Sequence, residues 1–400
     1  MRSFGIVFVF LFVSAAYCTW NIVQNDFATI AMTTSFTSAN TGYIAGGTSG
    51  LQPLFLYTTD GGNTLNNQGM NDSSVGAMLS IRMGSATWGI AGGLGFIKLP
   101  CGAFTNDGFT WFNMEDEFAL FCAFQGASIV DDSKTGVLIG SFSDRRDWSG
   151  NGLKMTTDGG QSWSQRNGDT GTTPVRYGSF LSKDMGYVTS GIWPSASVVN
   201  AKNVDNLMRD FRLTKHLSLD ATHQRVNFIK REDRAEEVDI SGYVAILSAV
   251  TNEAKDWKIL LNQTNAGLYF NEISCTDSNN CWAVLEGIDG FGNDTAVIYH
   301  TSNGWATYDT QLTVPGGSLI CIDMLTPTLG WAGGALLQGD FQGDFQGIFY
   351  KTTDGVNWTL DSELKNFYPM DVSVTDASHA YAAGITPIGL SSFASYSSSQ

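Results

Sequence analysis

The sequence predicts an all-β fold, a seven-bladed β-propeller of four-stranded blades, and three observations lead there. One turn motif, "TTDGGQSW" at 156–163, recurs along the chain, and a second, glycine-rich motif recurs in phase with it. The period of both is about 50 residues, the length of one blade. The 45 glycines and 11 tryptophans among 400 residues fit tight turns and large apolar anchors, and 43% hydrophobic residues supply a core.

The turn motif has relatives at "TTDGGNTL" (58–65), "TNDGFTW" (105–111), "TNEAKDW" (251–257), "TSNGWAT" (301–307) and "TTDGVNW" (352–358). Their third positions are Asp60, Asp107, Asp158, Glu253, Asn303 and Asp354, at intervals of 47, 51, 95, 50 and 51. The second motif appears as "GYIAGG", "WGIAGG", "GVLIG", "GYVTSG", "CWAVLEG", "GWAGG" and "AYAAG". Its markers Tyr43, Trp88, Val137, Tyr187, Trp282, Trp331 and Tyr381 number seven, and one interval of 95 is again nearly double the rest.

A blade follows directly. "SLICIDML" (318–325) reads as the innermost strand and "GWAGG" as the second, whose small residues permit close packing. "GIFYKTT" (347–353) reads as the third strand, the Asp motif as the hairpin turn, and "WTL" as the start of the outermost strand. The doubled interval reads as an insertion of about 45 residues in blade four, about 193–240, rather than an eighth blade. Within it "VDNLMRDFRLTKHLSL" (204–219) has the pattern of a short amphipathic helix, and 227–240 that of a charged hairpin or loop. Trp20 with its following apolar pair matches the outer strands after Trp163 and Trp358. The N-terminal strand is therefore expected to complete the last blade and close the ring, removing an exposed edge.

Residues 1–18 read as a signal peptide: Arg2, the apolar run "GIVFVFLFVSAA", then small residues. Residues 19–400 read as a single propeller domain in the secretory lumen or outside the cell. The sequons at Asn71, Asn262, Asn293 and Asn357 fit glycosylation on that route. "SCTDSNNCW" places Cys275 and Cys281 at the ends of a short polar turn, a natural hairpin disulfide in an oxidising compartment, while the pairing of Cys101, Cys122 and Cys321 stays open. A net charge of −16 argues against nucleic acid or an anionic membrane as partner, and no later segment reaches transmembrane length.

The pattern "T-x-D-x-G-x-S/T-W" resembles the Asp-box, or bacterial-neuraminidase repeat. With the in-phase "GY/W-x-A-G-G" motif, the mature chain is similar to the propellers of photosystem II assembly factors and their secreted relatives. Asp-box propellers also include sialidases, sortilin-type receptors and xyloglucan hydrolases, so the resemblance implies fold rather than function. Sialidases clamp a carboxylate with three arginines, the first in an Arg-Ile-Pro motif. This chain has no Arg-Ile-Pro and no arginine after Arg234. It also lacks the arginine-rich patch of the assembly factors.

The boxes themselves read as structural. Asp60, Asp107, Asp158, Asn303 and Asp354 take the turn position and Trp111, Trp163 and Trp358 the buried anchor. One box per blade keeps these acids too far apart to converge on one substrate. The four histidines are scattered, no metal-ligand spacing occurs, and no cofactor is implied. A glycoside hydrolase needs two carboxylates about 5–10 Å apart; Glu286, which replaces the glycines Gly47, Gly92 and Gly191, and Glu115, Asp289, Asp340 and Asp344 are the candidates. The favoured reading is a non-catalytic module that binds a protein or glycan, or serves structurally, through the face opposite the boxes. There the variable connections gather Arg145, Arg146, Trp148, Trp193, Glu286, Phe291, Phe341 and Phe345. The alternative is a hydrolase using carboxylates on that face.

Overall fold

A computed structural model describes residues 18–27, 29–48, 52–70, 77–96, 101–114, 121–130, 134–143, 151–167, 175–192, 243–251, 257–336, 346–386 and 391–398. They form 28 strands, β1 to β28 in chain order. The strands make five four-stranded sheets and one of eight. The larger sheet is two runs of four, joined where β10 (Phe121–Val130) pairs with β7 (Gly89–Phe96) over Phe121–Ala123.

The first strand of each run lies innermost. These are β2 (Thr29–Phe36), β6 (Met78–Met83), β10, β14 (Val175–Ser182), β18 (Leu268–Cys275), β22 (Gly317–Thr326) and β26 (Tyr368–Asp376). Each touches the next, and β26 touches β2, so the inner strands form a closed circuit. At the closure, β1 (Cys18–Phe27) pairs antiparallel with β28 (Ser391–Ser398), which is joined through β27 (His379–Ile385) to β26. Trp20 is buried there and stacks on Phe349 of the preceding sheet at 3.8 Å.

Sequence explains the layering. Second strands such as CWAVLEGI are buried along nearly their whole length, because neighbouring sheets cover both faces. Outermost strands such as TLDSELK are largely exposed and polar, which keeps the rim from pairing with other chains. In the fourth run β15 (Met185–Ile192) pairs with β16 (Val244–Thr251) from Ile192↔Val244 onward, although 51 residues separate them (193–243). Residues 193–242, with both segments expected to have structure of their own, lie outside the described residues.

The turn between third and fourth strands meets the turn between first and second strands. Gly61 donates to the Asn40 carbonyl at 3.0 Å, Gly159 to that of Lys134 at 3.0 Å, and Gly304 to that of Asn279 at 3.1 Å. Both turn types therefore share one face, the box face. The connections of variable length, from second to third strands, leave from the other. No helix among the described residues is long and apolar enough to cross a membrane.

Candidate functional site

On the box face each described box closes on its own backbone. Asp158 Oδ1 accepts the Ser162 N–H at 2.9 Å and the Thr156 hydroxyl at 2.8 Å, and Ser162 Oγ donates to Oδ2 at 2.5 Å. The Ser162 hydroxyl and then the backbone and Thr156 bonds hold the Asp158 carboxyl down to about 2. Asp107 is held down to about 2, chiefly by the Thr110 and Phe109 N–H groups. Asp60 and Asp354 are lowered by the same kind of bonds, led by the Thr64 N–H and the Asn357 amide respectively. Asn303 serves equally: its Oδ1 accepts the Thr307 N–H at 2.9 Å. Gly160 has φ +95°, and a Cβ there would lie 2.3 Å from Phe104, so the second glycine of that box is sterically required. The anchors follow. Trp111 stacks on Phe55 at 4.2 Å, Trp163 donates to the Gly160 carbonyl at 3.0 Å, and Trp358 to Gln311 Oε1 at 2.9 Å.

The second motif adds bonds from one sheet to the next. The Tyr43 hydroxyl donates to the Ala86 carbonyl at 2.8 Å, Tyr187 to that of Ser278 at 2.7 Å, Tyr381 to that of Ala39, and Trp282 Nε1 to that of Gly355 at 3.2 Å.

The channel enclosed by the inner strands holds charges that the repeat does not announce. Every inner strand carries a register shift at the same place, just before Thr33, Ser80, Gly126, Tyr177, Glu272, Cys321 and Asp371. Such a bulge re-aims the side chains that follow it. Thr33 accepts the Ile81 N–H at 3.0 Å, Glu272 that of Ile322 at 3.0 Å, and Asp371 that of Thr34 at 3.0 Å. Two residues on, a second rung repeats the device. Ser35 accepts from Met83 N–H, Ser128 from Phe180, Ser179 from Cys275, Ser274 from Met324, Asp323 from Val374 and Ser373 from Phe36, at 2.7–3.2 Å. Arg82 takes this position in the remaining strand.

Arg82 instead reaches across the channel. Its guanidinium donates to Glu272 Oε1 at 2.9 Å and to Asp371 Oδ2 at 2.9 Å, linking β6 to β18 and β26. Although burial opposes its charge, the two carboxylates raise its pKa further. Asp323 differs from these acids. Burial pushes its carboxyl up to about 6 despite the Val374 N–H and the Arg82 charge, with Asp371 adding repulsion. A cavity of about 240 Å³ runs from this charged level to the inner-strand ends at Ile129, Phe180 and Met324, which lead to the box face.

Of the acids proposed for catalysis, Glu286 departs most from expectation. It is 3% exposed rather than presented on the loop-rich face. The Tyr269 and Ser318 hydroxyls donate to its two oxygens, and Ser318 also bonds the Tyr368 hydroxyl at 2.8 Å. Pairing opposite Tyr269 turns Glu286 into the ring because that hydroxyl cluster satisfies it. Asp289 is spent on a turn, accepting the Phe291 and Asn293 N–H groups at 2.8 and 2.9 Å. Phe291 on that turn is 87% exposed. Cys275 and Cys281 form a disulfide with sequence separation 6; Cys101 is also disulfide-bonded, and Cys321 is a buried thiol whose Sγ donates to the Gly333 carbonyl at 3.6 Å. Asn262 is exposed, and its Oδ1 accepts the Thr264 hydroxyl at 3.1 Å. The Asn293 and Asn357 amides donate to Asp289 and Asp354 at 3.1 and 2.8 Å. Arg145, Arg146, Trp148, Trp193, Phe341, Phe345, Asn71, Glu115, Asp340 and Asp344 lie outside the described residues.

Sequence reading missed Arg82, Glu272, Asp323 and Asp371. A usable signal existed: the in-phase column Ser35, Arg82, Ser128, Ser179, Ser274, Asp323, Ser373 is serine except where charge enters.

No protein-family model matches the chain, and no curated protein matches it. Solved structures do. YCF48 bound to D1 peptide is similar at TM-score 0.55 and 12% identity, over 96% of this chain and 98% of that one. YCF48 from Cyanidioschyzon merolae gives 0.50 and 12%, over 95% and 99%. The GH74 xyloglucanase from Xanthomonas campestris gives 0.49 and 11%, over 93% of this chain and 52% of that one. At these identities the likeness is one of architecture, and this chain has the β-propeller fold.

Proposed function

We propose that the chain is a secreted, glycosylated, seven-bladed Asp-box propeller that binds a protein segment through its loop-rich face and carries out no catalysis. One observation carries the reading. Of the four described acids turned into the ring, Glu272, Asp371 and Glu286 have both oxygens bonded to the framework itself, so Asp323 has no second uncommitted carboxylate to pair with. A hydrolase needs such groups facing substrate. The charge network instead stiffens a scaffold from which the variable connections leave on one face, where binding commonly resides. A protein partner is supported by the fold neighbour YCF48, which is solved bound to D1 peptide.

The test uses the full chain purified from a secretory host, exposed in parallel to peptide and glycan arrays and to soluble polysaccharides. Peptide binding that disappears on deleting 200–240, with an unchanged melting curve, is the expected result. Release of reducing sugar from any polysaccharide would instead establish the hydrolase. An N-glycosidase that leaves the mass unchanged would remove the secretory part of the reading.

A further inference from the structure

The channel cavity is a separate feature, and it lies toward the box face rather than the loop-rich one. Its charge is unbalanced: Arg82 is shared by Glu272 and Asp371, so a third carboxylate, Asp323, has no cation of its own. Only Asp323 Oδ2 has a described hydrogen-bond donor, the Val374 N–H at 2.7 Å. Around it Ser128, Ser179 and Ser274 use one lone pair each on the next strand's backbone N–H, leaving a second to accept. Ser80 lines the same cavity, is 3% exposed, and its hydroxyl has no hydrogen-bond partner.

We infer that this cavity receives an ammonium group, held by Asp323 as counter-ion and by the channel hydroxyls as acceptors. Three features select that chemistry. Three carboxylates, Glu272, Asp371 and Asp323, face the single Arg82 guanidinium, so negative charge is in excess, a cation is favoured and an anion repelled. The described acids do not group as three potential metal ligands, whereas an ammonium needs one charged partner and a few neutral acceptors. A volume of about 240 Å³ accommodates the end of a side chain or a small amine, not a folded element. The raised Asp323 carboxyl agrees, since burial without a dedicated cation is its main cause. The ammonium belongs either to a free small amine or to a lysine of a partner segment.

Titration calorimetry on the full chain separates these sources and tests the site. The probes are ethylammonium chloride and a short uncharged peptide bearing one lysine, with sodium acetate as the anionic counterpart. Saturable binding of ethylammonium alone assigns the site to free amines, and tighter binding of the peptide assigns it to a partner's lysine. Asp323→Asn is expected to weaken either by at least tenfold, while Asp309→Asn, at an exposed remote carboxylate, leaves it unchanged. If Asp323→Asn does not fold, the wild-type pH profile decides. Among the described residues, Arg82 on β6, Glu272 on β18, Asp371 on β26 and Tyr177 on β14 are the other ionisable groups facing the site, and Asp323 is the carboxyl that burial raises to about 6. Affinity for ethylammonium must then rise between pH 5 and 7.5. A flat profile, equal binding by Asp323→Asn, preference for acetate, or no saturable binding of either cation overturns the assignment.

Discussion

Arg82 and Asp371, 289 positions apart in the chain, bond at 2.9 Å across the channel. The same guanidinium holds Glu272 at 2.9 Å, so one side chain ties three inner strands together. Both carboxylates are nearly closed to water, with side-chain exposures of 9% and 2%. Removing this guanidinium takes a cation away from two buried carboxylates, the costly half of a buried ion pair. Arg82→Met is expected to destabilise the chain by about 3 kcal/mol, read from urea unfolding at neutral pH. Arg82→Lys should recover only part, because an ammonium lacks the fork that spans two carboxylates. A loss below about 0.5 kcal/mol would mean that the clamp contributes nothing net.

Asp323 predicts a pH dependence of opposite sign to that of ordinary paired acids. Its folded carboxyl lies at about 6, above the value of about 4 of an unfolded aspartate. Between those values the folded chain holds the extra proton, so stability falls as pH rises through that window and levels off above it. Asp323→Asn removes this term. Relative to wild type, the variant should gain about 2 kcal/mol on going from pH 4 to pH 7. Denaturation midpoints of both proteins at the two pH values supply the comparison, and a difference that does not change with pH rejects it.

The boxes make a prediction about chemistry rather than charge. Asp158 is exposed enough that its carboxylate acts mainly as an acceptor for Ser162 and Thr156, and Asn303 shows an amide doing the same work. Asp158→Ala should cost about 1 kcal/mol, comparable to loss of a helix cap, and Asp158→Asn distinctly less. The folded carboxyl is depressed to about 2. Its stabilisation is therefore present above pH 4 and lost as pH falls toward 2, so the alanine variant and wild type should converge in acid. Equal cost for Asn and Ala would show that charge, not acceptor geometry, matters there.

The propeller was legible because its signals are local and periodic: a turn, a tryptophan and a glycine-rich strand recur wherever a blade must fold. The channel was not, because its residues acquire meaning only from the bulge. In "MLSIRM" Arg82 reads as an ordinary polar strand residue, and no spacing rule links it to Asp371. The repeat sets it in phase with Ser35, Ser128 and Ser179, but its reach to Glu272 and Asp371 follows only from the register shift after Met78. Glu286 misled for a related reason. Replacing a glycine at a strand end suggests an exposed acid, but the hydroxyls that satisfy it come from Tyr269 and Ser318, on two different inner strands.

Ring closure rests on Trp20. It stacks on Phe349 at 3.8 Å with 10° between planes, and tilts against Tyr396 at 5.8 Å, opposite which it pairs in the β1–β28 ladder. The indole therefore joins the terminal strand both to its own sheet and to the preceding one. Trp20→Ala removes a large buried ring at a site that backbone pairing prevents from collapsing, and about 3 kcal/mol is expected. Because the loss falls on the closing strand, β28 should lose its cover before the rest of the ring opens. Amide exchange in Trp20→Ala should accelerate first along 391–398, leaving inner strands such as 268–275 protected. Uniform acceleration around the ring would mean that opening is global and that the closure is no weaker than any other junction.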